Sequence, residues 1–446
     1  MIAFPALRSS LKTVFGTLLV LGLLVGGISA QDRVPAWPEP VIPKPIGLQL
    51  KESNKTTENI EQIHELGVNW VRRGFLWGNV EKKKGDYSGL ERYDQLVKDV
   101  EERGMKLLIC LALGNKKLYP HVRTKEGREA FAKYAAAVAE RYKDKDFIMY
   151  EIWNEPNVTT FWGKHGKHNS KQFAQEYYNL VKATVPAIRA VKPNAVILGG
   201  SVSNMWEKSY EWQNFCFELG ILETGIDGWS VHPYGVQVPE QYIEAYNIVR
   251  DMMVKHGGPR DFPMVNTERG FPTRKDKEGW AGGDEKTAFD RQAWHLVRQY
   301  LIDIYTGIKY TIWYEWEGKS NTNKKGRTKS FVLINNGEKM PAYFSLQHMN
   351  QALNGYRLKE RLELESETDF ALLFENGEGK QKVVAWCAPE KGAAPGSQKA
   401  HDVSIPVTGS TATVTDLFGK NSQDVKVAGG RLKVEISGSP IYIALN

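Results

Sequence analysis

Eight times between residues 46 and 357, an apolar run short enough for a buried strand gives way to a stretch with helical periodicity. The apolar runs fall at 46–51, 68–77, 106–114, 149–155, 196–203, 229–234, 263–268 and 309–316. Between them apolar residues recur at i, i+3, i+4 spacing with polar residues opposite. Ile60, Ile63 and Leu66 show the pattern, as do 90–103, 129–142, 173–191 and 288–305. A last helix over 342–353 follows Pro341, whose fixed φ suits a first helical position. Gly67, Gly104, Gly307 and Gly355 end several of these segments. Such alternation makes successive strands parallel, and the count points to an α/β chain closed into a (β/α)8 barrel over 46–357. An open doubly wound sheet would carry a glycine-rich phosphate loop after its first strand. Gln49-Leu50-Lys51-Glu52 is nothing of the kind.

Beyond Gly355 the texture changes. Apolar and polar residues alternate in short runs at 370–374, 382–387, 403–407, 411–417, 431–436 and 440–445, with Gly and Asn between them. An all-β sandwich over 358–446 is expected. At the other end, Arg8 and Lys12 precede an apolar run from Val14 to Ile28 that closes on Ser29-Ala30. This reads as a signal peptide, 1–30, which makes the protein secreted or periplasmic with no stable membrane span after cleavage. Five prolines make 31–45 an extended lead-in. Cys110, Cys216 and Cys387 are too few, and odd in number, for a disulfide framework.

In parallel barrels the chemistry collects where strands end and βα loops begin. The second run carries Arg72, and the fourth ends in Trp153-Asn154-Glu155-Pro156-Asn157. The sixth gives His232 and Tyr234, the seventh Glu268, and the eighth Trp313 and Trp316. A carboxylate at the end of an apolar strand is costly without partners or a job. Two of them on one barrel can converge on one cleft, as glycoside hydrolysis requires. A gap of about 5–5.5 Å allows direct attack, and one of roughly 6.5–9.5 Å admits a water.

These residues resemble clan A glycoside hydrolases. Trp153-Asn154-Glu155-Pro156-Asn157, His232-Pro233-Tyr234 and Thr267-Glu268-Arg269-Gly270-Phe271-Pro272 are most similar to family 39, with family 5-like enzymes as near neighbours. Bacterial endoglycosidases that cut exopolysaccharide are the nearest kind. The resemblance implies a retaining enzyme cleaving β-glycosidic bonds in a polysaccharide, with Glu155 as acid/base and Glu268 as nucleophile. It implies that Asn154 holds the sugar 2-hydroxyl, Tyr234 donates to Glu268, and Arg72 sets positive charge beside it. His232 belongs to the same substrate-binding group, and Trp313 would floor the cleaved sugar, with Trp316 as the competing choice. Arg269 departs from the clan pattern, which often has an aromatic there. Strand alternation turns it away from Glu268.

Basic residues gather in three loops on the expected catalytic face. Lys116, Lys117, His121 and Arg123 follow strand three; Lys164, His165, Lys167, His168 and Lys171 follow strand four. Lys319, Lys324, Lys325, Arg327 and Lys329 follow strand eight. A cleft of one sign concentrates oppositely charged ligand, so an anionic polysaccharide is the expected partner. Export and paired acids fit nucleic acid badly. No helix-spaced H-E-x-x-H motif or cysteine cluster is present, and no metal or other cofactor is expected. Two rival readings are an exo-acting glycosidase of xylosidase or iduronidase type, and a carbohydrate-binding barrel without catalysis.

Overall fold

The computed structural model describes residues 37–274, 284–318, 321–322 and 328–446. The signal segment 1–30 lies outside the described residues, as do Lys319, Lys324, Lys325 and Arg327 of the third basic loop. No described helix is long and apolar enough to cross a membrane.

Eight parallel strands close into the barrel. They are β1 (Ile46–Gln49), β2 (Trp70–Leu76), β3 (Lys106–Ala112), β4 (Ile148–Ile152), β5 (Val196–Ser203), β6 (Gly228–His232), β7 (Met264–Arg269) and β8 (Thr311–Trp313). Pairing of Ile46 with Thr311 and Leu48 with Trp313 joins the last strand to the first. The long helices are α1 (Thr56–Glu65), α2 (Asp94–Glu102), α3 (Lys125–Arg141), α4 (Lys171–Val191), α5 (Glu207–Glu218), α6 (Tyr242–Lys255), α7 (Glu285–Tyr305) and α8 (Pro341–Ala352). Local chemistry starts several of them. Thr124 Oγ1 accepts from the Gly127 N–H at 3.1 Å before α3, and Ser170 Oγ from the Phe173 N–H at 3.3 Å before α4. Each side chain satisfies a donor that the first helical turn leaves open. Phe173, Tyr177, Leu180, Val181 and Ile188 form the buried stripe of α4, as the sequence period requires.

Period-two alternation decides what fills the barrel. Trp70, Leu108, Met149, Val196, Leu198, Val265, Tyr310 and Ile312 pack together in its interior. The Trp70 and Tyr310 rings stack with centroids 4.1 Å apart. Two residues further along the same inward rows come Arg72 on β2, Cys110 on β3, Glu151 on β4 and Thr267 on β7. The apolar plug therefore gives way to polar groups toward the strand ends, where the site is built.

The C-terminal strands are β9 (Arg357–Arg361), β10 (Asp369–Glu375), β11 (Gln381–Cys387), β12 (His401–Pro406), β13 (Thr411–Thr415), β14 (Gln423–Lys426), β15 (Arg431–Ile436) and β16 (Ile441–Leu445). Six form one sheet in the order β9-β10-β11-β16-β13-β14, and β12 pairs with β15. Alternation makes the six-stranded sheet two-faced. Ala371, Leu373, Val383, Ala385 and Ile443 pack with Val403, Ile405, Leu432 and Val434 of the small sheet. Phe370, Leu372, Phe374, Val384, Trp386 and Tyr442 point the other way and join the same apolar cluster as the barrel helices. A polar clasp crosses this contact: Glu240 accepts from Arg298 Nε at 2.7 Å and from Trp386 Nε1 at 2.8 Å.

Candidate active site

The chain leaves β4 by an unusual route. Trp153 and Glu155 have positive φ, 70° and 49°. Left-handed backbone at residues with a Cβ costs of order 1–3 kcal/mol and persists only where the surroundings enforce it. Here Trp153 is buried against Phe131 and Trp162, with ring centroids 5.6 and 5.2 Å away. Asn157, wholly buried, ties the loop to the end of β5. Its Nδ2 donates to Asn169 Oδ1 at 2.7 Å and to Ser203 O at 2.9 Å, and its Oδ1 accepts from the Ser203 N–H at 2.9 Å. The last residue of the W-N-E-P-N string is thus a structural pin, and Glu155 is delivered beyond the strand, not on it.

A bulge in β5 supplies the next contact. Its register shifts between Gly199 and Val202, and Gly200 has φ 102°. A Cβ at Gly200 would lie 2.4 Å from the Ser230 carbonyl oxygen, so only glycine fits. The bulge aims Ser201 Oγ at the Glu155 N–H, 3.4 Å away, and at His232 Nε2, 3.2 Å away.

Glu155 and Glu268 converge. A carboxylate oxygen of each and a ring nitrogen of His232 all lie within 4.8 Å of one another. Both nitrogens of His232 have protein partners, Glu155 Oε1 at 3.0 Å from Nδ1 and Thr267 Oγ1 at 3.1 Å from Nε2. Hydrogen bonding accounts for the cluster without an ion. Glu268 accepts from Tyr234 OH at 3.2 Å and from Arg72 Nη1 at 2.9 Å. Burial, and then the charge of Glu268, push the Tyr234 hydroxyl well above its ordinary range, so it stays a donor. Asn154 Oδ1 accepts from Arg72 Nη2 at 2.8 Å. The sequence-derived residues Arg72, Asn154, Glu155, His232, Tyr234 and Glu268 therefore meet in one network.

At its centre is a residue the strand-end reading passed over. Glu151 is wholly buried and accepts four hydrogen bonds. They come from Arg72 Nε and Nη2 at 2.8 and 2.7 Å, Ser230 Oγ at 2.8 Å and Thr267 Oγ1 at 2.6 Å. Burial alone would raise its pKa, but the Arg72 charge and the hydrogen bonds from Thr267 and Arg72 hold the carboxyl below its usual value. An ionised Glu151 can only accept, so Thr267 gives it its one proton. The contact between Thr267 and His232 then needs Nε2–H as donor. With Nε2 protonated, a neutral His232 presents Nδ1 as an acceptor to Glu155.

The tryptophans expected under the sugar do not line the cleft. Trp313 and Trp316 are wholly buried, and Trp313 Nε1 donates to the Phe331 carbonyl at 3.1 Å. Alternation explains Trp313: Tyr310 and Ile312 point into the barrel, so Trp313 points out among the helices. Tyr314 is the strand-eight ring that faces the cleft, a space of about 290 Å³ shared with Gln49, Lys51, Arg72, Asn154, Phe161 and Glu268. Arg269 turns from Glu268. It donates to Tyr242 OH at 2.8 Å and to the Val236 carbonyl at 3.0 Å, and its guanidinium lies 5.0 Å from the Tyr234 ring.

Of the basic loops, Lys116, Lys117, Arg123, Lys164 and Lys167 are exposed. None of the five has a carboxylate partner among the described residues. His165 bonds Glu176 at 2.8 Å and His168 accepts from the Thr159 N–H at 3.1 Å, so both shape the loop after β4.

Comparison with known proteins agrees with this geometry. The family described as cellulase (glycosyl hydrolase family 5) matches residues 41–246, a little under half of the chain. A beta-xylosidase of Geobacillus stearothermophilus is 29% identical over 96 residues, 21% of this chain and 17% of that protein. An endoglucanase of Clostridium saccharobutylicum is 28% identical over 182 residues, 35% of this chain and 36% of that protein. The matches thus span about a sixth and a third of these curated relatives. Among solved structures, a family 39 glycoside hydrolase from Bacteroides cellulosilyticus WH2 superposes with a TM-score of 0.69 at 20% identity, covering 90% of this chain and 81% of that one. A GH39 beta-xylosidase from Caulobacter crescentus gives 0.61 at 16% identity, covering 93% and 98%. These structures share the fold. The sequence matches, each over part of the chain, are to clan A glycoside hydrolases.

Proposed function

We propose that the protein is an exported glycoside hydrolase that cuts β-glycosidic bonds within an anionic polysaccharide by a two-glutamate double displacement. The approach of Glu155 to Glu268, within 4.8 Å, carries this reading. It lies nearer the separation of about 5–5.5 Å between a nucleophile and its acid than the roughly 6.5–9.5 Å that leaves room for an attacking water. Glu268 attacks the anomeric carbon as Glu155 gives its proton to the departing oxygen. Water activated by Glu155 then opens the glycosyl ester. Arg72 and Tyr234 both donate to Glu268 and hold its carboxylate in place, and Asn154, held by Arg72, meets the 2-hydroxyl. The chain from Glu151 through Thr267 to His232 orients the imidazole against the Glu155 carboxyl.

The five exposed cations in the loops that follow β3 and β4, without carboxylate partners among the described residues, support a polyanion as substrate. Reducing-end release from acidic and neutral polysaccharides, with proton NMR of the first-formed anomer, tests the proposal. Retention on an acidic glycan, abolished in Glu268→Ala, is expected, with KM rising steeply with salt. Inversion would sink the double displacement. Equal turnover of neutral glucans at low and high salt would sink the anionic substrate.

A further inference from the structure

The cleft wall beside Glu268 carries a second ion pair. Lys51, two residues past β1, lies on the inward row with Gly47 and Gln49. Its ammonium pairs with Glu315 and sits 4.9 Å from the Tyr314 ring. The Lys51 side chain is 54% exposed and lines the cleft, whereas that of Glu315 is 9% exposed and forms no part of the lining. A sugar resting against Glu268 therefore meets the ammonium and not its counter-ion. Arg72, the other cation of this wall, already serves Glu151 and Glu268. Among the described residues, two cations here face three carboxylates.

We propose that the sugar unit whose bond is cut is an uncharged pyranoside, with Lys51 donating to one of its hydroxyls and Glu315 cancelling the charge of Lys51. The charged units of the polymer then lie at neighbouring subsites, toward the loops bearing Lys116, Lys117, Lys164 and Lys167. This inference rests on the double displacement proposed above. An ammonium can bond a hydroxyl or a carboxylate equally well in geometry, so its counter-ion decides the preference. A paired lysine gains little from a second anion, and a wall that already holds Glu268 and Glu315 offers one no further cation among the described residues.

The test uses 2-deoxy-2-fluoro-β-glycosyl fluorides in matched neutral and uronic pairs of the gluco, galacto and manno series. Glu268 attacks C1, the C–F bond breaks, fluoride leaves, and the ester persists because the 2-fluoro group slows hydrolysis. Intact-mass spectrometry follows labelling. In the best-reacting series the neutral reagent should label the wild type at least 100-fold faster than its uronic partner. Glu315→Gln should narrow that ratio at least tenfold by unmasking Lys51, and Lys51→Met should not narrow it. Uronic labelling as fast as neutral, or an unchanged ratio in Glu315→Gln, overturns the inference. Glu268→Ala should take no label. If no reagent labels a wild type that melts cooperatively, the double displacement itself fails and this inference falls with it.

Discussion

Replacing Glu151 by glutamine tests the network at its most buried point. The substitution keeps size and shape but exchanges one acceptor oxygen for an amide. If the amide oxygen stays with Ser230 and Thr267, the NH2 group faces Arg72 Nε and Nη2, now 2.7–2.8 Å from a second donor. Two charge-assisted bonds are lost, at about 1.5–3 kcal/mol each. Arg72 keeps Glu268, so the roughly 3–5 kcal/mol of a buried charge stripped of its partner is the upper bound. With an unfolding entropy of roughly 2 cal/mol/K per residue, a loss of about 3–5 kcal/mol in a chain of this size lowers the melt by roughly 3–6 °C. The sign with pH follows from the depressed Glu151 pKa. The carboxylate's contribution is complete above the ordinary glutamate value of about 4.3 and fades as pH falls through the folded value. Urea denaturation of both proteins at pH 7, 5, 4 and 3.5 should show a full difference at the first two and a shrinking one below. Equal stability at pH 7, or a gap that stays constant down to pH 3.5, would refute the argument.

Thr267→Val removes the hydroxyl that fixes the His232 tautomer. Turnover of glycosides with poor leaving groups should fall roughly 10–100-fold, while dinitrophenyl glycosides, which need no acid, should change little; equal loss on both would tell against the relay. Glu155→Ala should slow poor leaving groups about 10²–10⁴-fold, with azide restoring turnover of activated substrates as a β-glycosyl azide. An α-azide would contradict attack from the Glu268 side. Trp386→Ala empties a buried site where the indole stacks on Phe370, centroids 5.2 Å apart, and should cost about 3–5 kcal/mol in a calorimetric melt. Specific activity of the folded fraction should hold, and a fall in kcat would assign the C-terminal sheet a part in the site.

The barrel was legible because a strand–helix alternation repeated eight times has few other solutions. Glu155 and Glu268 were legible because carboxylates after apolar strands are rare enough to stand out. Glu151 sits inside such a strand, in Met149-Tyr150-Glu151-Ile152, and carried the same signal more strongly. A search confined to strand ends misses it. Period-two counting would have found it, since Met149 and Glu151 share a face, and would have chosen Tyr314 over Trp313. The left-handed Trp153 and Glu155 left no local mark. Their conformations are imposed by the aromatic packing around Trp153 and by Asn157, whose partners lie 12 and 46 residues away in the chain. The Lys51–Glu315 pair spans the seam where the barrel closes, a contact that no neighbourhood in sequence announces.

A sheet that is apolar on both sides has no independent life. The large C-terminal sheet shows Phe370, Leu372, Phe374 and Trp386 to the barrel and Ala371, Leu373 and Val383 to its own partner strands. Cut free, either half would carry a bare oily wall and clump with its neighbours. Nor can this half swing on a tether to fetch polymer, as a linked carbohydrate-binding arm would. Anyone hoping to trim the chain to a minimal barrel, or to graft its tail elsewhere, must first repaint the wall.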